Sequence, residues 1–351
     1  MSIACGNSLG CWDSSLKRKH ESDQAFSRRH EVRTVSRPNP MLLQRNRCVS
    51  TFSIIARDPM TRDLGIAVQS RAFSVGAIVP WAEAKVGCVV TQSFVNVSYG
   101  PDGLQMLREG LEPKMVVENL TRRDEAREYR QLGVLDSKGN MAAFTGRNCL
   151  MWAGSRIGRN HLAIGNVLEG KEVLASMGRR FESARDDLAG KLIAALEGGE
   201  EAGGDIRGRQ SASLVVVGKR GDHTDRGDRL VDLRVDDHPH PITELRRLWQ
   251  LSRVYHLIDE SEDMITRGDL ENALTTIRKA LSMNSSIDDA HINLAIILLK
   301  LGRTEEALLE FTEAIHINPK ARRLIRRLAH SGRIPCDRKF LTRLELAKEN
   351  T

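Results

Sequence analysis

The sequence predicts an α+β fold in which a layered antiparallel-sheet domain is followed by an all-α repeat module. Three observations carry this expectation. Four short apolar runs fall within about 40 residues of Ser50, too close together for crossover helices, so they must pair antiparallel. Strand-like and helix-like stretches then follow in blocks of strands, helices, strands, helix and strands, which suits two packed sheets with helices outside. Beyond residue 250, small and apolar residues recur 34 positions apart.

The elements follow in order. Residues 1–49 are polar, rich in Ser and Arg and without helical or strand periodicity, and are expected to be a disordered or untranslated basic extension. Met41 and Val49 are further candidate starts. The texture changes at Ser50. Residues 51–56 and 64–68 read as strands around a turn carrying Asp58-Pro59 and Arg62-Asp63. Two more strands are expected at 75–79 and 85–92, and helices at 103–109 and 113–122, separated by Gly110. Strands return at 128–135 and 141–144 around the turn Ser137-Lys138-Gly139-Asn140. One long helix is expected over 171–196, and a last hairpin at 212–218 and 230–235. The sheet domain is thus assigned 50–247, the repeats with a capping helix 248–330, and a basic helical tail 331–351. Residues 241–253 read as a linking helix.

The repeat is specific. Gly268 and Gly302, Ala273 and Ala307, Ile277 and Phe311, and Ala280 and Ala314 are each 34 apart. Small alanines let paired helices approach, glycine ends the first helix, and Pro319 closes the second unit. The stretch resembles a pair of tetratricopeptide repeats capped by a helix at 321–330. That resemblance implies a platform for a protein or peptide partner.

Charge and cysteine narrow the function classes. The net charge of +7 sits at the ends, since residues 1–50 hold nine Lys/Arg against four Asp/Glu and residues 319–351 hold ten against three. The body between is acidic, which argues against a nucleic-acid-binding domain with a basic face. The basic ends offer charge to RNA, anionic lipid or an acidic partner. The six cysteines show no CxxC and no metal-ligand spacing, so free thiols in a reducing compartment are expected. No apolar run approaches the roughly 18 residues of a membrane span, and there is no signal-peptide core. Cytoplasmic localisation, no metal and no cofactor are the expectations.

The segment from Thr51 resembles a bacterial family, domain-of-unknown-function family 1028, grouped with the N-terminal-nucleophile (Ntn) hydrolases. The resemblance rests on Thr51-Phe52-Ser53-Ile54, Ser70-Arg71-Ala72-Phe73, Val79-Pro80-Trp81-Ala82, Thr91-Gln92, Tyr99-Gly100, Gln131-Leu132-Gly133, Thr145-Gly146, Trp152-Ala153-Gly154 and Gly165-Asn166. It continues through Gly203 to Ser211 and Asp232 to His238, and covers 51–247 without large gaps. It implies a four-layer αββα sandwich and no known reaction. Two departures stand out: this chain places 50 residues before Thr51, and Phe144 stands where the family is expected to have His.

An Ntn hydrolase uses its first side chain as nucleophile and its own α-amine as base. An α-amine titrates near 8, so a useful fraction is neutral at physiological pH. The resemblance therefore implies Thr51, or Ser50, as nucleophile, conditional on exposure of that residue's amine. Proteasome-type β-subunits are similar in carrying an acid-Ser-Arg segment on the second strand and a later helper lysine. Here Gln69-Ser70-Arg71 and Lys85 take those positions, with Gln69 replacing the acid. Ser70, Gln92, Asn166, Asp205, Arg207 and Arg209 are the substrate-binding candidates, the last three because a glycine-rich loop carries them and they suit a carboxylate or amide. The expected function is amide-bond hydrolysis on a peptide or small amide. The alternative is an inactive Ntn-like scaffold, or an assembly protein that oligomerises, with the repeats docking a partner.

Overall fold

The computed structural model of the chain describes residues 48–218, 228–335 and 338–346. The expected basic extension lies outside them except at its end, where Cys48–Val49 form a short strand, β1. That corrects the expected boundary at residue 49.

In β2 (Thr51–Arg57), Phe52, Ile54 and Ala56 face one way and Thr51, Ser53 and Ile55 the other, and all are buried. A strand buried on both faces must lie inside a layered core. It pairs antiparallel with β3 (Leu64–Ser70) and β9 (His161–Leu168). Outside these lie β8 (Trp152–Gly158), β10 (Ser211–Val217) and β11 (Arg229–Val235), giving a six-stranded sheet in the order β11-β10-β3-β2-β9-β8. The second sheet has five strands: β5 (Gly87–Phe94) pairs with β1, β4 (Pro80–Glu83) and β6 (Arg130–Asp136), and β7 (Met141–Thr145) pairs with β6.

Between the sheets, Ile55, Ile66 and Ile164 meet Cys88, Val90 and Leu135. Helices α1 (Tyr99–Arg108) and α2 (Pro113–Arg122) cover the five-stranded sheet through Leu107, Val116 and Leu120. Helices α3 (Lys171–Ser183) and α4 (Leu188–Glu201) cover the other through Met177, Phe181 and Leu192. The layers are αββα. Each such fully buried side chain contributes about 1.5–3 kcal/mol.

Three expectations are corrected. The run 75–79 is not a strand but a 3-10 turn at Val75–Ala77, entered through Ser74 at φ 57. Its Val75 N–H is taken by Ser211 Oγ at 3.1 Å, and a Cβ on Gly76 would meet Ser213 Cβ at 2.6 Å, so the turn is pressed against β10. The helix expected over 171–196 is two helices. Ala184 is extended, and Asp187 caps α4 by accepting the Gly190 N–H at 2.8 Å. The hairpin β8–β9 was not anticipated; its two-residue turn is Arg159-Asn160, with Asn160 at φ 63.

Helix α5 (Pro241–Arg267) runs unbroken through the expected boundary at 247/248. Ile242, Leu245 and Trp249 join the core under α3 and α4, whereas Val254 and Ile258 enter the repeat core. Then come α6 (Leu270–Met283), α7 (Asp288–Lys300), α8 (Thr304–Ile317), α9 (Ala321–His330) and α10 (Arg338–Leu346). Gly268 and Gly302, at φ 82 and 76, end the first helix of each pair in the left-handed region. Ala273, Ala280, Ala307 and Ala314 are fully buried where helices touch. Among the described residues, no helix is long and apolar enough to cross a membrane.

The repeats carry a buried histidine bonded to a half-buried carboxylate. Both ring nitrogens of His291 face acceptors, Glu310 Oε2 at 2.6 Å and the Ser285 carbonyl at 2.9 Å. The bond to Glu310 is the main cause that holds its pKa above the ordinary histidine range, against the opposing effect of burial. A histidine raised on folding stabilises most below its unfolded pKa, and that contribution fades as pH rises through the folded one. Repeat stability should therefore fall by about 1 kcal/mol as pH rises past this range. Urea melts at a series of pH values should lose that dependence in His291→Gln; an unchanged pH profile in the variant would refute the assignment.

Candidate active site

Thr51 opens β2 at one end of the sandwich. Its neighbour across the sheet is Ser70, the last residue of β3. On its other side β2 and β9 pair as far as Phe52 and Gly165, and the next residue of β9 is Asn166. Before Thr51 the chain crosses to the other sheet, where Val49 pairs with Ser93 of β5. Val49, Ser50 and Thr51 are each 1% exposed or less. The Ser50–Thr51 peptide thus bridges the two sheets at their closed end.

That peptide is held by its carbonyl. Ser70 Oγ donates to Ser50 O at 2.5 Å, and Arg207 Nη2 donates to the same oxygen at 3.1 Å. Arg207 is fixed in turn by Asp205, whose fully buried carboxylate accepts its Nη2 at 2.8 Å and its Nε at 3.1 Å. Asp205 also accepts the backbone N–H of Arg71 at 3.3 Å, which ties the 203–211 loop to the end of β3. Gly203, Gly204 and Gly208, all at positive φ, let this loop turn tightly enough to do so. Thr51 Oγ1 is buried and has no hydrogen-bond partner among the described residues. Two donors therefore hold a carbonyl next to an uncommitted hydroxyl.

Deeper between the sheets lies a chain of amides. Gln131 Nε2 donates to the carbonyls of Gly165 at 2.7 Å and Gly154 at 3.1 Å, and to Thr145 Oγ1 at 3.1 Å. Its Oε1 must then face the other way, where it accepts Gln92 Nε2 at 2.7 Å and Asn166 Nδ2 at 3.0 Å. Gln92 Oε1 accepts Ser53 Oγ at 2.7 Å. The amide direction is set from the backbone carbonyls outward, and it leaves Asn166 Oδ1 as a buried acceptor without a partner among the described residues. Ser53, on the same face of β2 as Thr51, was expected to bond nearby, whereas Gln131 was not singled out; its signal was a polar side chain at an inward strand position.

The structure brings Ser50, Thr51, Ser70, Asp205 and Arg207 together, with Arg71 beside them and Gln92 and Asn166 below. Arg71 is exposed and donates through Nη1 to Gln210 at 2.6 Å. Arg209 turns away to Glu200 and to His240. Lys85 is not part of the group. It is an exposed turn residue at φ 65 before β5, whereas Val49 pairs with the far end of that strand. The separation along the strand is on the order of 20 Å, which corrects its expected role as helper. Among the described residues no group of three or more His, Cys, Asp and Glu side chains could hold a metal ion.

A surface cavity of about 790 Å³ lies on the helix side of the five-stranded sheet, lined by Tyr99, Asp124 and Arg130 among others. Asp124 accepts Arg130 Nε and Tyr99 OH, both at 2.9 Å. Burial pushes this carboxyl up, but the bonds from Arg130 and Tyr99 outweigh it and hold it below the usual range. Neither Ser50 nor Thr51 lines this cavity, so we read it as structural.

The comparisons with known proteins agree with this layout. The model of a family of unknown function, DUF1028, matches residues 51–245, and a tetratricopeptide-repeat model matches residues 288–321. The crystal structure of a Silicibacter pomeroyi protein assigned to DUF1028 is similar at 36% identity and a TM-score of 0.53, covering 58% of this chain and 86% of that one. No curated protein matches the chain. The chain belongs to the DUF1028 family and joins that domain to a tetratricopeptide-repeat, protein-binding module.

Proposed function

We propose that the chain is an amide-bond hydrolase of the Ntn type, with Thr51 as nucleophile once the residues before it are removed. The observation that carries this reading is the Ser50 carbonyl, held by Ser70 Oγ and Arg207 directly before a threonine whose Oγ1 is uncommitted. Removal of residue 50 vacates a carbonyl position with two donors already aimed at it. A substrate carbonyl taking that position lies beside Thr51 Oγ, and the donors stabilise the oxyanion formed on attack. The freed α-amine takes the proton from Oγ and passes it to the leaving amine. An acyl ester on Thr51 results, and water hydrolyses it with the same amine as base. Asp205 keeps Arg207 in place, and Arg71 lies at the rim. The repeats dock a protein or peptide partner.

A second reading has its own support. With residues 48–50 retained, Thr51 has no α-amine and its side chain is fully buried. In that state the protein is a non-catalytic binding or assembly protein. Loss of hydrolysis on replacing Thr51, with the fold retained, is the result the first reading expects; undiminished turnover would overturn it.

A further inference from the structure

The rim of the same end of the sandwich is unusually apolar. Phe73, Leu150, Met151 and Ile206 are 59%, 51%, 67% and 40% exposed. Backbone bonds place them around Asn166 and the Ser50–Thr51 peptide. Val167, the neighbour of Asn166, donates to Leu150 O at 3.2 Å and accepts from the Ile206 N–H at 3.1 Å. Ile206 lies between Asp205 and Arg207, and Phe73 follows Arg71 by two residues. Met151 and Val167 are held at φ 57 and 55, a conformation costly for any residue with a Cβ and most of all for a β-branched one.

Two demands meet here. Exposed apolar side chains around the site call for an apolar group. Below it, the fully buried Asn166 Oδ1 has no donor among the described residues, and the amide chain through Gln131 stops it from turning to offer an N–H instead. The guanidinium groups of Arg207 and Arg209 are matched by Asp205 and Glu200, whereas Arg71 at the rim is bonded to the neutral Gln210. A ligand with one N–H and an apolar tail satisfies both demands.

We infer that this end of the sandwich binds an amide whose apolar acyl chain lies on Phe73, Leu150, Met151 and Ile206 and whose N–H is accepted by Asn166 Oδ1. The inference deepens the reading of Thr51 as nucleophile and rests on it for the position of the ligand carbonyl.

The test is calorimetric titration of the processed protein, which begins at Thr51 and so leaves the Ser50 carbonyl position open, with straight-chain primary amides from butanamide to octanamide and with methyl ketones of matching length. Affinity should rise roughly twofold to fourfold per added methylene. Each ketone, which lacks the N–H, should bind about fivefold more weakly than its amide. The double variant Met151→Asp, Ile206→Asp should abolish the length dependence. A flat affinity series or equal binding of amide and ketone would overturn the inference. So would a double variant that changes only the oligomeric state, since the rim would then be a self-contact. Ammonia release from the bound amides reports separately on Thr51. Length-dependent binding without release rejects the nucleophile and keeps the ligand class, whereas release without length dependence does the reverse.

Discussion

Thr51→Val should eliminate amide hydrolysis while making the protein more stable. Valine keeps the shape of threonine and loses only the hydroxyl. In a residue buried for packing alone, that hydroxyl would be expected to have a partner, and Thr51 Oγ1 has none among the described residues. Removing an unsatisfied buried hydroxyl should gain about 1 kcal/mol, or a melting temperature higher by roughly 2–4 °C. Loss of the nucleophile should lower turnover at least about a thousandfold. Thermal melts and a hydrolysis assay on the same preparation check both halves. Lower stability in the variant would mean that the hydroxyl is structural, and retained turnover would remove Thr51 from the chemistry.

Gln131→Leu should be the most damaging single change in the sheet domain, at about 3–5 kcal/mol by urea denaturation. Leucine matches the volume but strands Gln92 Nε2 and Asn166 Nδ2, and it leaves the carbonyl of Gly154 without the donor it now has. Gln92 Nε2 is left with only a long bond to the Thr51 carbonyl at 3.5 Å, and the buried Asn166 Nδ2 loses its bond to Gln131. Lys85→Ala, at an exposed turn, should change stability by less than about 0.5 kcal/mol and serves as the control. A Gln131→Leu cost as small as that would mean that the amide chain does not lock the two sheets.

Much of the layered fold is legible because the residues that build it repeat with a period. Thr51 to Arg57 alternates between two buried faces, and the 34-residue spacing of Gly268 and Gly302 declares the helical pairs. Features without a period were harder to read. β1 has only two residues and exists because the chain crosses from one sheet to the other. The break between α3 and α4 hides in a continuous apolar face, and its only local signal is Asp187 placed to cap the next helix. The site was partly legible for the same reason. Ser70 and Thr51 lie on strands that the sequence pairs directly, so their meeting follows from the hairpin. Arg207 reaches Ser50 across 157 positions, and no local pattern shows it. Lys85 failed as a candidate because a hairpin turn puts it at the far end of the strand whose other end is near Thr51.

Intact mass with N-terminal sequencing of protein from its native host tests most directly whether Thr51 becomes an N-terminus. A chain that begins at Thr51, with its amine free, is the expected result. A chain that retains Val49 and Ser50 in every molecule would contradict it and leave a binding or assembly protein built on the same fold.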